Sequence, residues 1–151
     1  MNRIDFYHLQ KQLPEDVLPK LLQKAYDTGK KIKIKTVNEE RAETLNALLW
    51  AFDDESFIPH GTKKDGFAEQ QPIFISCEAN NPNGAEYLFL LDGAMETVDS
   101  LQKYERIFNL FDGNTESNLS AAREFWKLCK NSGFDVHYWQ QSERGKWEQK
   151  A

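Results

Sequence analysis

The five consecutive apolar residues Tyr87-Leu88-Phe89-Leu90-Leu91 most constrain what this chain can become. A strand with one wet face alternates apolar and polar residues; an unbroken run is buried on both faces. Such a run belongs in the centre of a sheet covered above and below. The rest of the chain supplies the covers. Pro14–Gly29 has an apolar stripe of Val17, Leu18, Leu21, Leu22 and Ala25 at helical spacing, and Gly29 ends it. Pro19 fits that helix if it begins near Asp16, so that the proline falls in the first turn. The spacing predicts a strand on each side, over Arg3–Leu9 and over Lys31–Val37. The second of these alternates strictly and reads as having one wet face. Strand, helix, strand joined by short turns predicts a βαβ unit with a parallel pair.

The same grammar continues. Asn38 caps a helix running to Phe52, with a stripe of Ala42, Leu45, Leu48, Leu49 and Phe52. Trp50 projects about 100° or more from that stripe at helical geometry. Ser56–Ile58 is a short extended piece between loops, and Thr62–Gln71 is polar. Pro72–Cys77 reads as a strand, Asn80–Gly84 as a turn, Thr97–Tyr104 as a short helix and Arg106–Phe111 as a strand. A helix capped by Ser117 or Ser120 closes at Gly133. Asp135–Trp139 is the last strand expected, within a single domain over 1–140, and 141–151 is a polar C-terminal tail. The fold class is therefore α/β: an open, mostly parallel sheet with helices on both faces, Rossmann-like in topology and without a phosphate loop.

The function classes excluded are several. Neither G-x-x-x-x-G-K-[ST] nor G-x-G-x-x-G follows the first strand, whose turn Gln10–Pro14 has no glycine, and there is no G-x-S-x-G. His8, His60 and His137 lack metal-ligand spacing, and Asp53-Asp54 reads as a solvated loop. No cofactor, metal or catalytic site is expected. At 151 residues and a net charge of −5, the chain is not a general binder of nucleic-acid backbones or anionic membranes. It has no apolar run long enough to span a bilayer and no signal-peptide pattern, which leads to a cytoplasmic expectation. Cys77 and Cys129, far apart and in apolar contexts, read as reduced buried thiols.

One stretch asks for a partner. In the helix before Gly133, Ala121, Ala122, Phe125, Leu128 and Cys129 form a core stripe. Arg123, Trp126, Lys127 and Lys130 project from the other side. Three cations beside a tryptophan, on an acidic chain, suit a short anionic peptide with an apolar anchor; the plain alternative is a solvated lysine face with Trp126 half buried. Trp50, with Phe57 and Pro59 close behind it, reads either as an exposed aromatic patch or as packing under the Asp53–Gly61 loop. A nucleotide enzyme on the same sheet and a direct single-stranded DNA binder are the competing classes.

Several motifs in order carry a resemblance over nearly the whole chain: Phe6-Tyr7; Leu49-Trp50 before Ser56-Phe57-Ile58-Pro59-His60; Pro72-Ile73; and Asn109-Leu110-Phe111 before Ala122-Arg123-Glu124-Phe125-Trp126-Lys127 and Gly133-Phe134. The chain resembles the chi subunit of bacterial DNA polymerase III, a component of the clamp-loader complex. The resemblance implies a nucleotide-binding-like fold without a nucleotide site or catalysis, and two partner surfaces. Trp50, Phe57, Pro59 and His60 would face the psi subunit. Arg123, Trp126 and Lys127, with Phe111 on the pocket wall, would bind the acidic C-terminal tail of single-stranded DNA-binding protein, which ends in phenylalanine. Lys130 would help draw in the tail's aspartates. The family usually has a tyrosine where Trp126 stands.

Overall fold

The computed structural model describes residues 2–10, 12, 14–52, 60–62, 68–142 and 146–150, with backbone only at 14, 15, 50–52 and 68. Its elements are β1 (Arg3–Leu9), α1 (Pro14–Tyr26), β2 (Ile32–Lys35), α2 (Glu39–Phe52), β3 (Ile73–Ser76), β4 (Tyr87–Leu91), α3 (Val98–Leu101), β5 (Arg106–Asp112), α4 (Glu116–Asn131), β6 (Asp135–Gln141) and β7 (Trp147–Gln149). The strands form one seven-stranded sheet in the order β3-β2-β4-β5-β1-β6-β7. Every pairing is parallel except β6 with β7.

β1, β4, β5 and β6 feed two cores, one on each face of the sheet, while β2, β3 and β7 feed one of them. On one face Leu18, Leu22 and Ala25 of α1 and Ala42 and Leu45 of α2 pack on Ile32, Ile34, Phe89 and Leu110. On the other, Leu101 of α3 and Ala122, Phe125 and Cys129 of α4 pack on Ile4, Phe6, Leu88 and Ile107. The run Tyr87–Leu91 is buried throughout, because β4 lies inside the sheet with core on both faces. Burial also pushes the Cys129 thiol up to about 12, leaving it a packed, protonated thiol. Cys77 is only partly buried, and both cysteines are free.

Several expectations need correction. The helix begins at Pro14, so Pro19 lies in its interior and not its first turn. Pro14 takes the first helical position, where a missing N–H costs nothing, while Pro19 costs α1 one backbone hydrogen bond. Asn38 does cap α2, its Oδ1 accepting from Arg41 N at 2.8 Å. Leu48, however, is 45% exposed, since it lies about 120° round the helix from Ala42. In α4 the stripe is narrower than read: Leu128 is 41% exposed and Ala121 is exposed. The cap position is Thr115, ahead of either serine. Gly133, at φ +87°, supplies the left-handed turn expected. α3 is shorter than expected, and the presumed polar tail contributes β7, paired with β6.

The wet face of β2 is wet only at its ends, Lys31 being exposed and Lys35 partly so. Lys33 is fully buried, and its ammonium donates to the backbone carbonyls of Glu78 and Asn80. The segment after β3 folds over this end of the sheet. Asn83 holds it there, its Nδ2 donating to Ile32 O at 3.1 Å and Gln71 O at 3.0 Å. Burial pushes Lys33 down to about 8, with Glu96 acting in the opposite sense.

A lysine that binds its proton less tightly when folded penalises the fold wherever it stays charged. That penalty is present below about pH 8 and is relieved as the pH rises toward the unfolded value of 10.5. Stability in urea is therefore expected to rise by up to about 2 kcal/mol between pH 7 and pH 9.5. Lys33→Met should lack the rise; a wild-type protein with a flat profile would contradict the burial of this charge.

Candidate functional site

α4 lies across β5, β1 and β6. Its inner side is an aromatic stack: Phe125 meets Phe6 with ring centroids 5.5 Å apart, and Phe6 stacks on Tyr138 at 6.1 Å. Phe6 and Tyr138 are register partners across β1 and β6, so strand alternation turns both toward α4. Farther along the same face, His8 lies beside Phe111 at 5.2 Å and edge-on to Tyr138 at 6.0 Å. Its Nδ1 is 2.9 Å from the Tyr138 hydroxyl.

Arg123 stands exposed above this group. The guanidinium is close enough to His8 and Tyr138 to act on both. Burial, then the charge of Arg123, lowers the His8 pKa, while Asp112 works the other way. Burial raises that of Tyr138, with Arg123 opposing. His8 is thus kept neutral near pH 7, and Arg123 is the positive charge offered to solvent there. One turn on, Trp126 is half buried and packs against the core, with its Nε1 buried and without a hydrogen-bond partner. The Lys130 ammonium sits over the indole, 5.2 Å from its centroid. Lys127 is exposed, and its 3.8 Å contact with Glu124 joins two solvated groups, a pairing worth little.

The structure therefore brings Arg123, Trp126, Lys127 and Lys130 together on one outer side of α4. It corrects two details. Trp126 does not point away from the core; it lies nearer the buried stripe than Leu128. Phe111 is 1% exposed and forms the ground beneath His8 and Tyr138 rather than an open wall. Its other side borders a water-sized cleft between α4 and Gly93-Ala94-Met95. His8 and Tyr138 were missed by the sequence reading. Alternation in β1 and β6 turns them to α4, but nothing local shows that the two strands are neighbours.

The second group is resolved less fully. Trp50 lies on the last turns of α2, but its side chain, with Phe57 and Pro59, lies outside the described residues. His60 is described and is 5% exposed. Its Nε2 donates to the Asn46 carbonyl at 3.2 Å, and the next residue, Gly61, bridges to Phe74 along β3. His60 is therefore tied to α2, and Gly61 to β3.

At the carboxyl ends of β1 and β5, where an open α/β sheet usually holds a ligand, described residues of the two loops bond to one another. Gly113 N donates to Leu9 O at 2.8 Å, and Asn114 Nδ2 donates to Gln10 O at 2.7 Å, drawing the two loops together. A Cβ on Gly113 would lie 1.7 Å from His8 Nε2. The histidine ring fills the space directly beside Gly113. Among the described residues no cluster of three or more His, Cys, Asp or Glu could hold a metal, and no helix is long and apolar enough to cross a membrane.

A family model described as "DNA polymerase III chi subunit, HolC" matches residues 1–137. The chain belongs to the DNA polymerase III chi subunit family. A probable DNA polymerase III subunit chi of Rickettsia prowazekii is 31% identical over 109 residues, covering 72% of this chain and 66% of that relative, just under two thirds of its length. The DNA polymerase III subunit chi of Pseudomonas aeruginosa is 23% identical over 139 residues, covering 90% of this chain and 94% of the relative. These names are those of one subunit of a DNA polymerase, so family membership implies a protein partner.

Gly113 tests the close approach at the β1–β5 end. Gly113→Ala should cost about 1–3 kcal/mol in urea unfolding, as overpacking does, because His8 must leave its position. A variant as stable as the parent would mean that His8 does not occupy that space.

Proposed function

We propose that this chi-family protein is a non-catalytic adaptor. One surface docks the acidic C-terminal tail of single-stranded DNA-binding protein; another attaches to the psi subunit of the clamp loader. The observation that carries the first part is the exposed Arg123 guanidinium beside Trp126 and Lys130. A tail of aspartates ending in phenylalanine offers a carboxylate, further negative charge and a flat apolar ring. Arg123 takes the carboxylate by two charge-assisted hydrogen bonds. Lys127 and Lys130 attract the aspartates. The terminal ring packs against the outer side of Trp126, whose inner side is already held by the core. His8 and Tyr138 lie near Arg123, close enough to feel its charge.

The binding is of micromolar strength, since a flexible tail with few anchors spends most of its contact energy on becoming ordered. Arg123→Ala should weaken a tail peptide by ~2 kcal/mol or more, about thirtyfold, in a calorimetric titration. Raising the salt should weaken the wild-type interaction, because the attraction is between solvated charges. An affinity indifferent to Arg123 would remove that residue from the site.

For the psi-facing surface the reading rests on Trp50, Phe57, Pro59 and His60, the last of them bonded to the Asn46 carbonyl. Trp50→Ala should abolish co-purification with the psi subunit and leave tail-peptide affinity unchanged. Loss of both activities together, with a lowered melting temperature, would mean that Trp50 is a packing residue.

A further inference from the structure

The sheet face opposite α4 is only partly covered. α1 packs on β5 and its neighbours. Among the described residues no helix lies over β6 and β7 on that side. A cavity of about 430 Å³ runs between α1 and this uncovered part. A second cavity of about 370 Å³ adjoins it, with Tyr7, Leu21 and Lys24 common to both. Together they form a groove along α1. From Asp16 to Ala25 it extends about 14 Å at 1.5 Å per residue. Tyr7, Trp139 and Trp147 form the sheet wall, with Trp147 edge-on to Tyr7 at 5.3 Å. Val17 and Leu21 line the helix wall, and Lys20 and Lys24 stand above them.

The groove carries one acid, Asp16, at its start, and two cations, Lys20 and Lys24, along its rim. Neither Lys20 nor Lys24 has an ion-pair partner among the described residues, and they lie one turn apart on its rim. The two arginines nearby are already committed. Arg3 and Arg106 each reach a carboxylate oxygen of the buried Asp5 at 3.0 Å, and Trp139 Nε1 donates to the same group at 3.2 Å. The groove therefore offers an apolar aromatic floor, two solvated cations on one edge and no free guanidinium.

We propose that this groove receives an amphipathic helix of a partner protein, apolar on one side and flanked by Asp or Glu. A mostly parallel sheet is normally covered on both faces, and such a helix beside α1 would complete the missing layer. Its apolar stripe would cover Tyr7, Trp139 and Trp147, and its acids would meet Lys20 and Lys24. Single-stranded nucleic acid fits less well. Trp147 is turned edge-on against Tyr7, two lysines neutralise few phosphates, and the chain carries a net charge of −5. The groove lies on the sheet face of α1, opposite α4, so this surface is separate from the one that carries Arg123.

The test is a display selection with a library of helical peptides about 14 residues long, run on full-length Arg123→Ala protein so that the α4 face cannot capture acidic tails. The expected result is enrichment of sequences with apolar residues at i, i+3 or i+4 and i+7 flanked by acids. Such peptides should bind wild-type protein equally well and bind the Lys20→Glu/Lys24→Glu variant at least tenfold more weakly. Both lysines are exposed, so that variant should stay folded with a small drop in melting temperature, Lys24 lying in the last turn of α1. Trp147→Ala should weaken the same peptides. Failure to enrich, enrichment of peptides without acids, or binding indifferent to the lysine reversal would overturn the proposal. So would displacement of the selected peptides by an oligothymidylate, which would assign the groove to nucleic acid.

Discussion

β1 is the strand on which the rest of the structure depends. It pairs in parallel with β5 on one side and with β6 on the other over almost its whole length. Its alternate residues serve both faces of the sheet. Ile4, Phe6 and His8 turn to α4; Asp5 and Tyr7 turn to α1 and the groove beside it. A polar group at the centre of a sheet is tolerated only when satisfied. Asp5 shows how: a fully buried carboxylate accepts from Arg3, Arg106 and Trp139, one residue from each of the three strands. The tie fixes β5, β1 and β6 together at one end, while the contacts of His8 with Gly113 and Tyr138 fix them at the other.

That arrangement also explains why a nucleotide-binding-like sheet serves as a protein-contact module. The carboxyl ends of β1 and β5 are spent on internal packing. Among the described residues, the outer surfaces of the helices remain available: the Arg123 side of α4 and the edge of α1. Surfaces of this kind suit peptides and partner helices, which need a few well-placed anchors.

Much of the architecture was legible because it is local. The Tyr87–Leu91 run, the helical stripes and the turn glycines place strands and helices in alternation, and alternation implies the sheet. What was not legible is long-range. Lys33 reads as solvent-facing in any strand pattern; only the segment that folds over β2 makes it buried. Trp147 reads as part of a polar tail until β7 pairs with β6 and sets it against Tyr7. The helix stripes failed at their margins. Leu48 and Leu128 lie at angles where a shift of the contact line by one residue decides between core and solvent. At the site, the cations of α4 were readable from spacing alone. His8 and Tyr138 were not, being 130 residues apart and joined only by the register of β1 and β6.

The central claim is that the Arg123 side of α4 reads a carboxylate together with the terminal aromatic ring of an acidic tail. The most direct measurement is a calorimetric titration of the protein with two short acidic peptides, one ending in Pro-Phe and one lacking the final Phe. Micromolar binding of the first and none of the second is the predicted result. Equal binding of both, or of neither, would contradict the claim: the first would reduce the site to a general attraction between charges, and the second would leave the α4 face without its ligand.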